Sequence, residues 1–199
     1  MNNTINFVQN YPKEEKIWLT SDLHIGHNQE FVWKARGFKS VHHMNDKLLE
    51  NLYKCVKSND KLFILGDLTL GDLDEALPYL TEIPGEVHVI LGNHDTERRI
   101  ALYQELNWRI QWATKFKYDK IRFYLSHYPT LTANPGEDFL SLATINLFGH
   151  THQTYSWSPV NRFGYNVGVD AHNNCPVNLA NILDELREHN KTYSEYMTK

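Results

Sequence analysis

Residues 61–68 read Lys-Leu-Phe-Ile-Leu-Gly-Asp-Leu, an apolar run that stops at one glycine and one carboxylate. Four consecutive apolar residues between turn formers are typical of a strand that is buried on both faces. In open α/β sheets, side chains just beyond the carboxyl end of such a strand point into the crevice that holds ligands. Gly66 lets the backbone come close to whatever Asp67 holds, because it carries no side chain. The stretch therefore predicts a buried strand with a functional carboxylate at its end.

The composition predicts one globular domain, spanning residues 1–199, with a full hydrophobic core. The chain has 199 residues, of which 41% are hydrophobic and 13% aromatic. A formal charge of −4 gives no basic footprint, so nucleic acid is a possible partner but not a favoured one. The polar N-terminal stretch, and the lack of an apolar run of about 18 residues, predict a cytoplasmic protein with no membrane contact. Cys55 and Cys175 fit neither a disulfide framework nor a metal knuckle, and we interpret both as packing residues.

Polar side chains also follow four other apolar runs, at positions where strands are expected to end. Taken alone, any one of the eleven histidines is better explained as an ordinary surface or core residue. Their clustering at strand ends instead favours convergence on one crevice. The runs are 16–20, 86–91, 121–126 and 144–148, and the residues that follow them are Asp22 and His24, Asn93, His94 and Asp95, His127, and His150 and His152.

The residue types at these strand ends suit metal binding. Asp22 and His24 are two residues apart, so in extended backbone they face the same way and can grip one ion. His150 and His152 share a face if their backbone is extended, or diverge to adjacent ions if it turns. Asn93 can bind a metal through its amide oxygen. The sequence thus offers oxygen and imidazole ligands from several strands.

The stretch Gly92-Asn93-His94-Asp95 also offers a candidate for proton transfer. His94 can donate a proton, and Asp95 can orient the His94 ring. The alternative is a loop in which Asp95 caps a helix that begins at Thr96. The two interpretations are compatible with each other.

Three residues near Asp22 and His24 are candidate substrate contacts. His27 and Asn28 follow closely enough to face a substrate, although a capping or loop role explains them equally well. Arg36 can clamp a phosphate with two parallel hydrogen bonds. It lies in a basic and aromatic segment, 31–43, which is otherwise explained as a solvated loop.

Helical patterns and a hairpin connect the predicted strands. We expect an amphipathic helix over 44–56 with Asn45 as its cap, a short helix from Asp72 to Leu80, and a closing helix over 178–188. Residues 111–117 and 121–126 predict the two arms of a hairpin. Residues 155–169 have β-like character, and 130–141 predict a loop and short helix at the rim.

Seven candidate ligands are more than one ion needs. With three or four protein ligands per ion and open positions for water, the set suits two cations that share a carboxylate. Asp67 is the natural bridge between them. The full set is Asp22, His24, Asp67, Asn93, His127, His150 and His152.

In this order and spacing, the sequence resembles the calcineurin-like metallophosphoesterases, in particular their small bacterial and phage members. The family pattern of five blocks is matched by Asp22-Leu23-His24, Gly66-Asp67, Gly92-Asn93-His94-Asp95, His127 and Gly149-His150-Thr151-His152. The resemblance implies an α/β fold, a four-layer sandwich of two mixed β-sheets flanked by helices. It also implies one metal at Asp22, His24, Asp67 and His152, and a second at Asp67, Asn93, His127 and His150.

The resemblance also implies a dinuclear phosphoesterase acting on small phosphoesters. In this hypothesis, hydroxide generated between the two cations attacks phosphorus in line, and His94 protonates the leaving alkoxide. Diester or broad phosphoester hydrolysis is favoured, a phosphomonoesterase is the alternative, and a non-catalytic scaffold of the same fold is a third. The thiolate-free set of oxygen and imidazole ligands suits manganese, iron, zinc, cobalt or nickel, and of these we expect manganese. No large cap separates the blocks, so any lid that specifies the substrate must come from 29–43 or 130–141.

Overall fold

In the computed structural model of the protein, residues 8–132 and 143–197 are described, and their strands form two five-stranded sheets. In the first sheet the order is β1 (Gln9–Tyr11), β6 (Ala113–Tyr118), β7 (Ile121–Ser126), β8 (Thr144–Phe148) and β9 (Gly164–Asn166). In the second sheet it is β10 (Val177–Asn178), β2 (Ile17–Thr20), β3 (Lys61–Leu65), β4 (Glu86–Ile90) and β5 (Arg109–Gln111). β6 pairs antiparallel with β7, and β10 with β2, while the other pairs are parallel.

Five helices accompany the sheets in the described residues: α1 (Glu30–Ala35), α2 (Val41–Cys55), α3 (Leu73–Thr81), α4 (Glu97–Glu105) and α5 (Leu179–Met197). The expected α/β fold of two mixed sheets flanked by helices is thereby confirmed. Among the described helices, none combines the length and the apolar character that crossing a membrane requires.

In the described part of the chain, two hydrophobic cores hold the layers together. One lies between the sheets, where Leu19 and Phe63 of the second sheet join Phe123 and Leu147 of the first, and where α5 adds Leu183. The other lies on the opposite face of the second sheet, under α2, α3 and α4. Because β3 and β4 are covered on both faces, they are near-continuous apolar runs in the sequence, as parallel central strands require.

The parallel strands bring their carboxyl ends to one edge of each sheet. In the second sheet, Thr20 of β2 pairs with Ile64 of β3, and Leu65 of β3 pairs with Ile90 of β4. The loops after these strands therefore start at nearly the same level. In the first sheet, β7 and β8 are in parallel register in the same way.

The helix α2 begins earlier than the sequence predicts. The Ser40 side chain accepts a hydrogen bond from the His43 backbone N–H and caps the helix at Val41. Asn45 is not the cap; it is buried in the second turn, where its Oδ1 accepts a hydrogen bond from Gly26 N–H. The short helix α3 begins after Asp72 as expected, and Asp72 caps it through Asp74 N–H.

Three other segments differ from the prediction. The segment 31–43 is not one loop, because it contains α1 and the start of α2. The predicted arm 111–117 is split, since Gln111 ends β5 in the second sheet whereas β6, from Ala113, lies in the first sheet. In the 155–169 segment the β-structure is limited to the short strand β9 and isolated bridges at Trp157 and Gly168. Of the predicted rim segment 130–141, residues 133–141 lie outside the described part of the chain.

Candidate metal centre

The seven predicted ligands meet in one crevice at the carboxyl ends of the strands. They lie in the loops that follow β2, β3, β4, β7 and β8, so both sheets contribute. We call Asp22, His24 and His152 the first ligand group, and Asn93, His127 and His150 the second ligand group. Asp67 lies between the two groups.

The first ligand group brings its donor atoms within 4.8 Å of one another. His24 Nε2 lies 3.1 Å from His152 Nε2, and His152 Nε2 lies 3.7 Å from Asp22 Oδ1. For bonds of about 2.0–2.2 Å, two ligand atoms of a tetrahedral site lie about 3.4 Å apart. The separations therefore suit a single cation.

The second ligand group has the same spacing around Asn93. The Asn93 Oδ1 atom lies 2.9 Å from His127 Nε2 and 2.9 Å from His150 Nδ1. Donor atoms of Asp67, His127 and His150 also lie within 4.8 Å of one another. Oxygen and imidazole nitrogen thus face each other at the distances that a second cation needs.

The Asp67 carboxylate has one oxygen for the backbone and one for the ligands. Its Oδ1 accepts a hydrogen bond of 2.9 Å from His94 N–H. Its Oδ2 lies 3.9 Å from His24 Nε2 and 3.5 Å from His127 Nε2, so it faces both ligand groups. The side chain is only 2% exposed, and this placement suits a carboxylate shared by two cations.

The buried groups of the crevice fit bound cations. Asp22 Oδ1 is buried without a hydrogen-bond partner in the described residues, and burial raises the pKa of Asp22. An unpaired buried carboxylate oxygen is costly, and a cation would satisfy it. Burial and the neighbouring Arg36 lower the pKa of His24 to about 2. His24 is therefore neutral at physiological pH, as a metal ligand must be.

The backbone is left-handed at most of the predicted ligands, which the sequence does not predict. Positive φ angles occur at five of the seven ligands: Asp22 (58°), His24 (51°), Asp67 (52°), His150 (67°) and His152 (51°). Positive φ is uncommon outside glycine, and strained backbone clusters at functional sites. The expected extended backbone between Asp22 and His24 is thus wrong. At His150 and His152 the turn makes the two rings diverge, one into each ligand group.

Glycines let the ligand loops pack against one another. A Cβ atom at Gly66 would lie 2.5 Å from His127 Nδ1, and one at Gly92 would lie 2.3 Å from Asp67 Oδ1. At Gly149 it would lie 1.9 Å from the Ser21 hydroxyl. Any side chain at these positions would displace a ligand or its support.

Asp170 supports the first ligand group, and the sequence did not single it out as a site residue. Its Oδ2 lies 2.9 Å from His152 Nδ1, which leaves His152 Nε2 for a metal. This hydrogen bond raises the pKa of His152. Burial alone would raise the pKa of Asp170, but hydrogen bonds from His152 and Arg36 hold it well below its usual range. The only signal in the sequence was the tail that ends in Asp170, Asn-Val-Gly-Val-Asp.

Arg36 is engaged by the protein and not directed at a phosphate. Its guanidinium donates to both Asp170 oxygens, to the backbone carbonyls of Leu23 and Asp22, and weakly to the Met44 sulfur. These contacts use all five N–H donors, and the side chain is 4% exposed. Arg36 therefore does not have the donors free that a phosphate clamp would need, and it fixes the position of Asp170 instead.

Asp95 likewise differs from its predicted role beside His94. Its Oδ2 accepts hydrogen bonds from Gly92 N–H and Asp67 N–H, and its Oδ1 accepts one from the Tyr103 hydroxyl. Asp95 therefore ties the loops after β3 and β4 together instead of orienting the His94 ring. It does not cap α4 either, because the cap position is Thr96.

His94 stands at the edge of the crevice, where a substrate can reach it. Its side chain is 43% exposed, and its Nε2 lies 3.9 Å from Asp67 Oδ2. Its ring centroid is 5.7 Å from that of His24. His27 is half-buried, with its ring 5.5 Å from that of His24, whereas Asn28 is exposed.

Comparisons with known proteins agree with this geometry. The family model described as calcineurin-like phosphoesterase matches residues 15–195. The chain is 31% identical to the gene 66 protein of Mycobacterium phage D29, over 86% of this chain and 94% of that protein. It is 27% identical to the gene 66 protein of Mycobacterium phage L5, over 77% of this chain and 86% of that protein. A crystal structure of a protein of unknown function from Aquifex aeolicus shares the fold, with a TM-score of 0.64 at 23% identity over 87% of this chain and 100% of that chain.

Proposed function

Because the chain belongs to the calcineurin-like phosphoesterase family, we propose that it is a hydrolase of small phosphoesters that works with two divalent metal ions. The observation that carries the proposal is the Asp67 Oδ2 atom, which faces donor atoms of both ligand groups. Manganese is the first cation to test, because the ligand set contains carboxylate, amide and imidazole groups but no thiolate.

In the proposed reaction, different residues of the crevice bind the cations, position phosphorus and donate the proton. Two bound cations would supply Lewis acidity toward the phosphoryl oxygens and a hydroxide nucleophile at neutral pH. The first and second ligand groups fix where phosphorus can sit, since both open onto the same crevice. We assign the proton for the departing ester oxygen to His94, and its 43% exposed side chain at the edge of the crevice supports this role.

We propose diesters or a broad range of phosphoesters as substrates, with a phosphomonoesterase as the alternative on the same site. The formal charge of −4 supports a small ester over nucleic acid. A scaffold that binds metal without catalysis is less well supported, because every ligand of the family pattern and His94 are present.

Turnover of reconstituted protein tests the proposal. Metal-free protein is loaded with each candidate cation in turn and assayed with aryl monoesters and aryl diesters of the same phenol. We expect hydrolysis that depends on added metal, fastest with a diester. Faster hydrolysis of the monoester would establish the phosphatase alternative. Full metal loading without turnover of either ester would count against the proposed hydrolysis and favour the scaffold.

A further inference from the structure

A cleft of about 530 Å³ adjoins the first ligand group. His24 and His152 of that group line it, and so does His94. Among the described residues, no member of the second ligand group lines the cleft. The cleft is therefore on the His94 side of the crevice, where an ester oxygen that accepts the His94 proton would depart.

Apolar side chains from α1 form one wall of this cleft. Phe31, Val32 and Ala35 line it from the helix, and Leu70 lines it from the loop after β3. No side chain of α1 is fully buried, and Phe31 is 72% exposed. Its ring stands edge-on to that of His27, with 6.0 Å between centroids. Together with its apolar neighbours on this wall, the exposed Phe31 ring offers a surface on which an aromatic or other apolar group can stack.

Among the described residues that line the cleft, Arg36 is the only side chain with a permanent positive charge. Arg36 and Asp170 line it, but they form an ion pair. All five Arg36 donors are engaged, as described above, so its charge is neutralised in place. A leaving group that carried another phosphate would bring its charge against the apolar wall of the cleft, with no arginine or lysine of the described lining left to pair with it, which is unfavourable.

We infer that this cleft binds the leaving group of the substrate, and that this group is an uncharged alcohol with an apolar ring that stacks on Phe31. The inference rests on the proposed phosphoester hydrolysis and names its substrate class. In the step concerned, water oxygen bonds to phosphorus and the bond from phosphorus to the alcohol oxygen breaks. One proton of the water restores His94 after His94 has protonated the alcohol.

Binding of two phosphonates tests the inference without turnover. Benzylphosphonate and methylphosphonate share a phosphonate head and differ by one ring, and neither can be hydrolysed at its carbon–phosphorus bond. Calorimetry is done on the whole chain loaded with Zn²⁺. We expect benzylphosphonate to bind about tenfold more tightly, because a hydrophobic pocket discriminates such groups by roughly 10-fold or more.

Two variants locate the ring. Phe31→Ala removes the stacking surface and should reduce the tenfold preference to about twofold or less. Ala35→Phe adds a bulky side chain to the wall of the cleft. Because the added ring occupies the space of the ligand ring, this variant should also reduce the tenfold preference to about twofold or less. The matched control is Tyr53→Ala, which removes a 46% exposed aromatic ring on α2 that does not line the cleft. This control should keep the tenfold preference.

A mixed diester adds a readout from turnover. Benzyl methyl phosphate has two alcohols of similar acidity, so the ratio of benzyl alcohol to methanol released reports which one occupies the leaving position. We expect an excess of benzyl alcohol that disappears in Phe31→Ala.

The outcomes separate the two proposals. Equal binding of the phosphonates, or a preference that survives both variants, overturns the leaving-group cleft and leaves phosphoester hydrolysis intact. Failure of the metal-loaded protein to bind either phosphonate counts against the phosphoester site itself.

Discussion

The contacts of single residues in this site indicate a separate role for each of them. Asp67 joins the two ligand groups, Asp95 holds the loops that carry Asp67 and Gly92, and His94 stands exposed beside them. Asp170 holds His152 and is itself held by Arg36. Each role predicts a different loss, of turnover or of metal affinity, when the residue is substituted.

His94→Ala should keep both cations and lose turnover of esters with poor leaving groups. Without a general acid, hydrolysis of alkyl esters should fall by about 10²- to 10⁴-fold. Aryl esters with activated leaving groups should be affected far less, because their phenolate departs without a proton. Kinetics on both ester types, with metal content measured in parallel, check this.

The control for His94 is His42→Ala, which removes an exposed imidazole from α2. It should leave both rates unchanged. Equal losses for alkyl and activated aryl esters in His94→Ala would contradict the role of His94 as an acid.

Asp170→Asn should weaken one cation and spare the other. Partners of metal-bound histidines typically contribute about 10- to 100-fold in metal affinity. We therefore expect one of the two dissociation constants, that of the first ligand group, to rise by that factor in calorimetric metal titrations. Asp184→Asn, at a side chain that is 78% exposed on α5, is the control. A variant that melts at a lower temperature yet binds both cations normally would reduce Asp170 to a structural role.

The tight turns at the strand ends bring the separate ligand motifs of the sequence together in one site. The buried strands β2 and β3 end at nearly the same level, and the second residue after each strand, Asp22 or Asp67, has left-handed backbone. The turns pack so closely that Gly66 has no room for a Cβ atom beside His127. The site thus depends on the backbone as much as on its ligands.

Gly66→Ala should disturb metal binding, and the chain provides a matched control for backbone strain. Gly66 has φ +87° with His127 Nδ1 2.5 Å from a Cβ atom, whereas Gly37 has φ +81° with nothing within 4 Å. Gly37→Ala should cost about 1 kcal/mol of the free energy of unfolding and leave metal binding unchanged. Gly66→Ala should cost about 1–3 kcal/mol more through overpacking and weaken the second cation.

Chemical denaturation and metal titration of both glycine variants measure these effects. If Gly66→Ala and Gly37→Ala lost equal stability and both retained full metal affinity, close packing at Gly66 would not support the site.

Some of these elements can be predicted from the sequence and others cannot. The strands ending before Asp67 and Asn93 are predictable, since burial on both faces leaves an uninterrupted apolar run. The helix α1 is not, because six residues with no buried side chain leave no periodic pattern. The left-handed ligands are not predictable either, since aspartate and histidine adopt positive φ more readily than most residues but still in a small minority of cases.

The residues that hydrogen-bond to the predicted ligands are equally hard to predict from the sequence. The residue types that hold metals were recognisable at the strand ends, but the acid that lies 2.9 Å from His152 is fixed by the fold. Arg36 and Asp95 show the converse case. Their residue types predict a phosphate clamp and a partner for His94, but the side chains of both are engaged in structural contacts instead.

At the scale of the whole molecule, two sheets from distant parts of the chain share one crevice. The second sheet supplies the loops of Asp22, Asp67 and Asn93, and the first supplies those of His127 and His150. The core between the sheets holds these edges together, so folding and metal binding are coupled. A cation bound to the native state should therefore raise the melting temperature in proportion to the logarithm of its concentration.

The metal content of the whole chain tests the two-cation site most directly. Protein reconstituted with Mn²⁺, dialysed and analysed for metal should hold two cations per chain and hydrolyse a phosphoester. Asp67→Ala should lose both metal and activity, whereas Asp74→Ala, at an exposed carboxylate of α3, should keep both. Two cations retained in Asp67→Ala, or full hydrolysis by wild-type protein that holds one cation or none, would contradict a site built around Asp67.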